Sequence, residues 1–193
     1  MEHPDSRPMP LEEPKEAVCK RWFVLRDLKR PNAKEPAYLM LRDKVETVFT
    51  PMTKQVVTRK GRKQVVEVPY MRDLVFVHDS PSVIDPIVEV TPTLQYRFVR
   101  GGQSNERMVV PDDEMERFMA LVNSQRMFQY YTPDEVSATM CGRDIIIVGG
   151  ELDGFRGKLL TVKGSKRKQL VVALRGLLAV GVVVEPEYIQ FAD

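Results

Sequence analysis

This sequence predicts an α+β N-terminal domain, an antiparallel sheet flanked by helices, followed by a small all-β barrel. Three observations carry that fold class. Residues 20–122 alternate β-branched or aromatic runs with stretches at helical spacing, in the order strand, helix, strands, helix, strand, helix. From residue 141 to 193 the texture changes to short Val- and Leu-rich runs punctuated by glycine, with no helical period. Between them, residues 123–140 (NSQRMFQYYTPDEVSATM) sustain no period and contain Thr132-Pro133-Asp134, which reads as a linker whose Phe128, Tyr130 and Tyr131 can dock on a neighbour. A length of 193 residues suits one generous domain or two small ones.

The elements follow in order. Residues 1–19 open with Pro4, Pro8, Pro10 and Pro14 among several acids, a composition that cannot offset its ordering entropy and lacks the apolar core of a targeting signal, so a mobile tail is expected. Trp22-Phe23-Val24-Leu25 is a strand, closed by the turn-like Lys29-Arg30-Pro31-Asn32. Pro36 fits the first turn of a helix that places Ala37, Met40 and Leu41 on one face. Val45 to Phe49 reads as a strand stopped by Pro51. Gln55-Val56-Val57-Thr58 and Gln64-Val65-Val66 flank a turn at Gly61 and form a β-hairpin. Leu74 to Val77 is a strand, Pro81 to Val88 a short helix, and Gln95 to Val99 a strand broken by Gly101-Gly102. Pro111-Asp112-Asp113-Glu114 starts a helix, because acids in a first turn complement its free N–H groups, and Met115, Phe118, Met119 and Val122 form its apolar stripe. In the last third, Asp144 to Val148 precedes a Gly-rich turn and three further strands ending at Ile189, with Leu170 to Leu178 also open to a helical reading.

Composition excludes several function classes. The balance of 29 Lys and Arg against 27 Asp and Glu rules out a tail-like polycation, so nucleic-acid contact must come from local clustering. Two cysteines, Cys19 and Cys141, make neither a disulfide scaffold nor a four-ligand zinc site, and a reduced, cytoplasmic protein is expected. The longest apolar run, Leu170 to Val184, is interrupted by Arg175, Gly176 and Gly181 and falls short of the roughly 20 residues that span a bilayer. His3 and His78 have no second ligand at metal spacing, and His78 reads as a surface residue. No nucleophile elbow, phosphate loop or dinucleotide fingerprint is present, so neither an enzyme nor a cofactor is expected.

Basic clustering is the stronger signal. Lys54, Arg59, Lys60, Arg62 and Lys63 crowd the hairpin with no acid among residues 54–63, which suits either phosphate contact or a solvated turn. Lys163, Lys166, Arg167 and Lys168 form a second basic turn around Gly164-Ser165 that reads as an ordinary connector. Trp22, Phe23, Phe49, Phe76 and Phe98 divide between core and an apolar groove for a partner helix, and the sequence leaves the division open.

Gly142-Arg143-Asp144-Ile145-Ile146-Ile147-Val148-Gly149-Gly150-Glu151-Leu152-Asp153-Gly154-Phe155-Arg156-Gly157 resembles a KOW motif, with Gly149, Gly150, Gly154 and Gly157 permitting positive φ or close backbone approach. Upstream, Trp22-Phe23-Val24-Leu25, Phe49-Thr50-Pro51, the basic hairpin, Phe76-Val77, Tyr96-Arg97-Phe98-Val99-Arg100 and Val109-Val110-Pro111 follow the order of a NusG N-terminal domain. Over residues 20–193 the chain therefore resembles a NusG-family transcription elongation factor, closer to specialised antitermination paralogues of the RfaH and UpxY kind. The resemblance implies an SH3-like KOW barrel over 141–193. It also implies an N-terminal domain that binds the clamp helices of the RNA polymerase β′ subunit and reduces pausing or termination on particular operons, such as those for polysaccharide synthesis. By motif match, Trp22, Phe23, Phe49, Pro51, Tyr70, Leu74 and Phe76 are the polymerase-facing candidates. Arg59, Lys60, Arg62 and Lys63 would face upstream or non-template DNA, and the KOW barrel would recruit Rho or a ribosomal protein or hold the first domain in check. Where the family carries Phe-Pro-x-Tyr, this chain has Met71-Arg72-Asp73-Leu74 after Tyr70, and that divergence favours a specialised regulator. The competing expectation is a KOW-type RNA- or ribosome-binding protein without polymerase binding.

Overall fold

The computed structural model describes residues 19–30, 33–99, 105–124, 128–136, 141–161, 167–174 and 176–192. Residues 1–18 of the tail expected over 1–19, the Pro31-Asn32 and Gly101-Gly102 breaks, Lys163 and Lys166 lie outside them.

The first sheet is antiparallel and centred on β1 (Arg21–Asp27), which pairs β5 (Val75–Asp79) on one side and both β6 (Leu94–Tyr96) and β7 (Val109–Val110) on the other. β2 (Thr47–Phe49) pairs the outer side of β5. Alternation puts Phe23, Leu25, Val75 and Val77 in one cluster with Ala37 and Leu41 of α1 (Ala37–Leu41) and Ile84 of α2 (Pro81–Val90). Trp22, Val24, Leu74 and Phe76 join the other cluster, with Met115, Phe118 and Leu121 of α3 (Asp112–Asn123). Each such side chain contributes about 1.5–3 kcal/mol when fully buried.

Two buried carboxylates fasten the strand ends. Asp27 accepts hydrogen bonds from the N–H groups of Lys29 (2.9 Å) and Ala37 (2.7 Å), so β1 satisfies a free donor at the start of α1. Asp79 accepts from Glu46 (2.9 Å) and Ser80 (2.7 Å), tying the end of β5 to the entry of β2.

The hairpin stands as a separate two-stranded ribbon, β3 (Met52–Arg59) and β4 (Arg62–Pro69). Lys60 and Gly61 both take positive φ, at 50° and 74°, which matches the twist a two-residue hairpin turn requires.

The second sheet has six antiparallel strands: β9 (Cys141–Ile147), β10 (Arg156–Thr161), β11 (Lys168–Leu174), β12 (Leu178–Val184), β13 (Ile189–Phe191) and β8 (Phe128–Tyr131), in the spatial order β13-β9-β10-β11-β12-β8. Leu170 to Leu178, open to a helical reading, is the end of β11, a tight turn at Gly176 (φ 67°) and the start of β12. The 123–140 span, read as a linker, contributes β8, whose residues Phe128 to Tyr131 pair with Val182 to Ala179. Among the described residues, no helix is long and apolar enough to cross a membrane.

β8 is seated by a packing lock. The Tyr131 hydroxyl donates to Gln169 Oε1 at 2.7 Å, and both groups close over Gly181 of β12. A Cβ at 181 would lie 2.7 Å from Gln169 Oε1 and 2.7 Å from the Tyr131 ring carbon Cε2, closer than real Cβ atoms approach. Gly181→Val should therefore displace Tyr131 or Gln169, destabilising the second sheet by about 1–3 kcal/mol. Denaturant unfolding reads the loss, and hydrogen exchange at 128–131 should rise first.

Candidate functional site

The structure separates the sequence-derived apolar candidates. Trp22, Leu74 and Phe76 are buried on the α3 side of the first sheet, with Phe49 and Tyr70 half-buried at its margin. Pro51 is also buried, and its carbonyl accepts from the Tyr70 N–H at 2.8 Å, joining the two ends of the ribbon. Phe23 lies on the opposite face, edge-on to Tyr96 at 5.7 Å, and is walled off from the others by the sheet. Neighbours in a strand point to opposite faces, so Trp22 and Phe23 cannot share one surface.

The margin is where the two sheets meet. Phe49 sits 6.1 Å from Phe76 and 6.2 Å from Phe118, ring centre to ring centre. On its other side the Phe118 ring stacks at 6.4 Å on Tyr130 of β8. Tyr130 also lies 4.9 Å from the Tyr70 ring, and the Tyr70 hydroxyl donates to the Tyr130 carbonyl at 3.4 Å. α3 packs further against β11 and β12. A groove of about 700 Å³ opens beside this seam, lined by Phe49, Thr50, Met52, Val122 and Phe128, with Lys54 and Glu67 at its edge.

Burial pushes the Tyr130 phenol well above its ordinary value; the nearby Met52 N–H offsets this only in part, and among the described residues no hydrogen bond of good geometry reaches the hydroxyl. Tyr96 is raised by burial first and then by its 2.7 Å hydrogen bond to Asp85. Tyr70 is raised by burial and by the charge of Glu135, whose own carboxyl is held low by the N–H and hydroxyl of Thr132.

The divergent Met71-Arg72-Asp73-Leu74 segment is divided by function within the fold. Leu74 is fully buried and Met71 packs partly against the same cluster. Asp73 bonds Arg97 at 2.8 Å and Arg26 at 3.4 Å, so its charge is spent on the sheet edge, while Arg72 stays exposed.

The basic hairpin is exposed throughout its tip. Arg59 pairs Arg62 and Thr58 pairs Lys63 in direct register, and among the described residues none of Arg59, Lys60, Arg62 and Lys63 forms an ion pair. Like charges set directly opposite each other oppose strand pairing.

In the second sheet, Gly149, Gly150 and Gly154 have positive φ in the β9–β10 turn. Gly142 and Gly157 serve close approach instead: a Cβ on Gly157 would overlap the Val171 carbonyl oxygen. Phe155 packs half-buried against the shared cluster. His78, read as a surface residue, is partly buried, 5.1 Å from the Trp22 ring, with Glu46 at 3.6 Å and Asp112 at 3.8 Å. Among the described residues no group of His, Cys, Asp and Glu is placed to hold a metal. Leu121, absent from the sequence-derived stripe, is fully buried at the seam; its position three residues after Phe118 was the available signal.

The protein-family model for NusG, described as transcription termination factor nusG, matches residues 20–119, more than half of the 193 residues. No curated protein matches the chain. Among solved structures, one of Thermotoga maritima NusG, described by its domain interaction, is similar in fold at 15% identity with a TM-score of 0.50, covering 91% of this chain and 99% of that one.

The two buried phenols predict an alkaline limit. A phenol whose value is raised in the fold contributes stability that is fully present below its ordinary value of 10.0 and is lost as pH rises beyond it. Denaturant titrations from about pH 8 to about pH 11 should show stability falling above 10, by up to about 1.4 kcal/mol per pH unit for each of Tyr96 and Tyr130. Tyrosinate absorbance of the native protein should lag behind that of the unfolded chain.

Proposed function

The chain belongs to the NusG family, and from that premise we propose that it is a specialised transcription elongation and antitermination regulator that docks on RNA polymerase through the Phe49–Tyr70–Phe118 margin of its first domain. The observation that supports this reading is the seam itself. Phe49 of β2, Tyr70 just after β4 and Phe118 of α3 form one apolar margin beside an open groove, and the second domain occupies part of it through Tyr130. An apolar margin met by a pair of helices, such as the β′ clamp helices, is helix-in-groove recognition. Leu74, Phe76 and Trp22 then support the surface from beneath.

In this reading residues 141–193 are a KOW module of SH3-like form that competes with polymerase for the margin. Once released, it is free to take a partner such as Rho or a ribosomal protein. The basic ribbon projects toward nucleic acid, upstream or non-template DNA being the expected target. The exposed Arg72 favours a second reading, RNA or ribosome binding without polymerase.

The test uses the full chain, its Tyr130→Ala variant and a Tyr130→Ala/Phe49→Ala double variant, each titrated with the clamp-helix hairpin. Tyr130→Ala should bind more tightly than the native chain, because the population tax of the closed arrangement is reduced. Adding Phe49→Ala should weaken that binding by about 2 kcal/mol, roughly thirty-fold. Binding should persist at high salt, since apolar docking is little screened. Absence of binding by a folded Tyr130→Ala chain overturns the polymerase reading.

A further inference from the structure

We propose that the groove beside the seam takes the chain's own Pro-rich N-terminal segment, residues 8–14, as an intramolecular cover. The proposal stands apart from the polymerase reading, because its occupant is supplied by the same chain.

The groove suits an extended, mostly apolar segment with an acid beside it. Its volume of about 700 Å³ lies within the range of ordinary ligand sites, roughly 300–1,000 Å³. Phe49, Val122 and Phe128 make its wall apolar and aromatic, the kind of surface on which polyproline II segments dock. Asn123, exposed at the rim, offers amide donors. Lys54 is exposed there too. Among the described residues it forms no ion pair, although Glu67 stands opposite it in register.

The N-terminal segment matches each feature. Pro8-Met9-Pro10-Leu11 sets two large apolar side chains among prolines. Proline fixes its own φ and drives the residue before it toward extended backbone, so Arg7 to Pro10 have less entropy to lose on docking. Prolines also present carbonyls without N–H groups, which the Asn123 amide can bond. Glu12 and Glu13 follow Leu11 directly and bring carboxylates to Lys54. Across residues 1–18 Glu2, Asp5, Glu12, Glu13 and Glu16 stand against Arg7 and Lys15, so an anionic segment meets the cationic ribbon that borders the groove.

The chain also arrives at the right edge. Lys20, just before β1, pairs Glu46 at 2.7 Å, and Glu46 immediately precedes β2. From Glu46 to Phe49 is about 10 Å along the strand. Residues 12–19 span up to about 25 Å at 3.1 Å per residue in polyproline II geometry. Leu11 therefore reaches the groove with the exit held by that ion pair.

The experiment compares NMR spectra of the full native chain and its M9D/L11D variant, whose changes lie outside every described strand and helix, so the fold is retained. In the native chain the Met9 methyl should show Overhauser contacts to the Phe49 and Phe128 rings. In the variant the amides of Met52, Lys54 and Asn123 should shift, while those of residues 59–63 stay in place. A synthetic peptide of residues 1–18, added to M9D/L11D, should restore the native shifts saturably. On the native chain the same peptide should bind about tenfold more weakly, because the tethered segment holds the groove at high effective concentration. An E12Q/E13Q peptide should bind M9D/L11D about threefold more weakly, as the loss of one exposed ion pair allows. Unchanged groove amides together with no Met9 contact overturn the proposal. Changes confined to 59–63 overturn the groove assignment and place the segment on the basic tip. Contacts that fade on dilution belong to a second copy and overturn the intramolecular cover, and equal affinity of the E12Q/E13Q peptide overturns the Lys54 pairing. None of these outcomes bears on polymerase docking, which the clamp-helix titration decides separately.

Discussion

A sheet whose central strand is apolar on both faces has to be covered twice, and the rest of this structure follows from that constraint. Trp22, Phe23, Val24 and Leu25 are all buried in β1, two on each face. α1 and α2 cover one side, where Asp27 and Asp79 fasten the strand ends to the elements that follow. α3 covers the other, but α3 is itself apolar on more than the sheet-facing side. Phe118 meets Phe49 beneath it and Tyr130 above, so the helix needs its own cover and takes it from β8, β11 and β12. One apolar cluster therefore runs from the first sheet through α3 into the second. Any helix-shaped partner for the Phe49–Tyr70–Phe118 margin must compete with side chains already serving the fold.

Charge is kept away from this continuous core. The uncompensated cations stand on a ribbon that shares no ladder with either large sheet, and its root is closed by the Pro51–Tyr70 backbone bond. The acid introduced by the divergent segment, Asp73, is neutralised locally by Arg97 and Arg26. An apolar margin and a basic arm so divided respond to different conditions: the first is insensitive to salt and the second is governed by it.

Much of this was legible because local pattern and final environment agree. Continuous aromatic and β-branched runs located β1 and β5, Gly61 between two β-branched runs located the ribbon, and the acids at 112–114 located the start of α3. What escaped depended on partners distant in sequence. β8 is four residues long, includes the polar Gln129 and lies just before Pro133, so no periodicity marks it; it is a strand because β12, some fifty residues later, supplies its ladder. Phe23 carries the same apolar signal as Trp22, and only the placement of the helices decides which face each one meets. The 170–178 stretch reads as helix or strand on composition and is settled by pairing, with β11 and β12 in register from Lys168↔Val184 to Leu174↔Leu178.

The seam also has a weaker side, and the bonding shows which it is. β8 shares a backbone ladder with β12, and its Tyr131 hydroxyl is locked on Gln169 over Gly181. Toward the first sheet it offers ring contacts from Tyr130 to Tyr70 and Phe118, and one long hydrogen bond at 3.4 Å. Tyr130 moreover carries a buried hydroxyl without a well-formed partner, an arrangement that costs about 1–3 kcal/mol and is relieved when water reaches it. β8 is thus held to the second sheet by a backbone ladder, and to the first domain by side-chain packing with that single long bond. Residues 128–131, read in sequence as part of a connector, belong by their ladder to the second sheet.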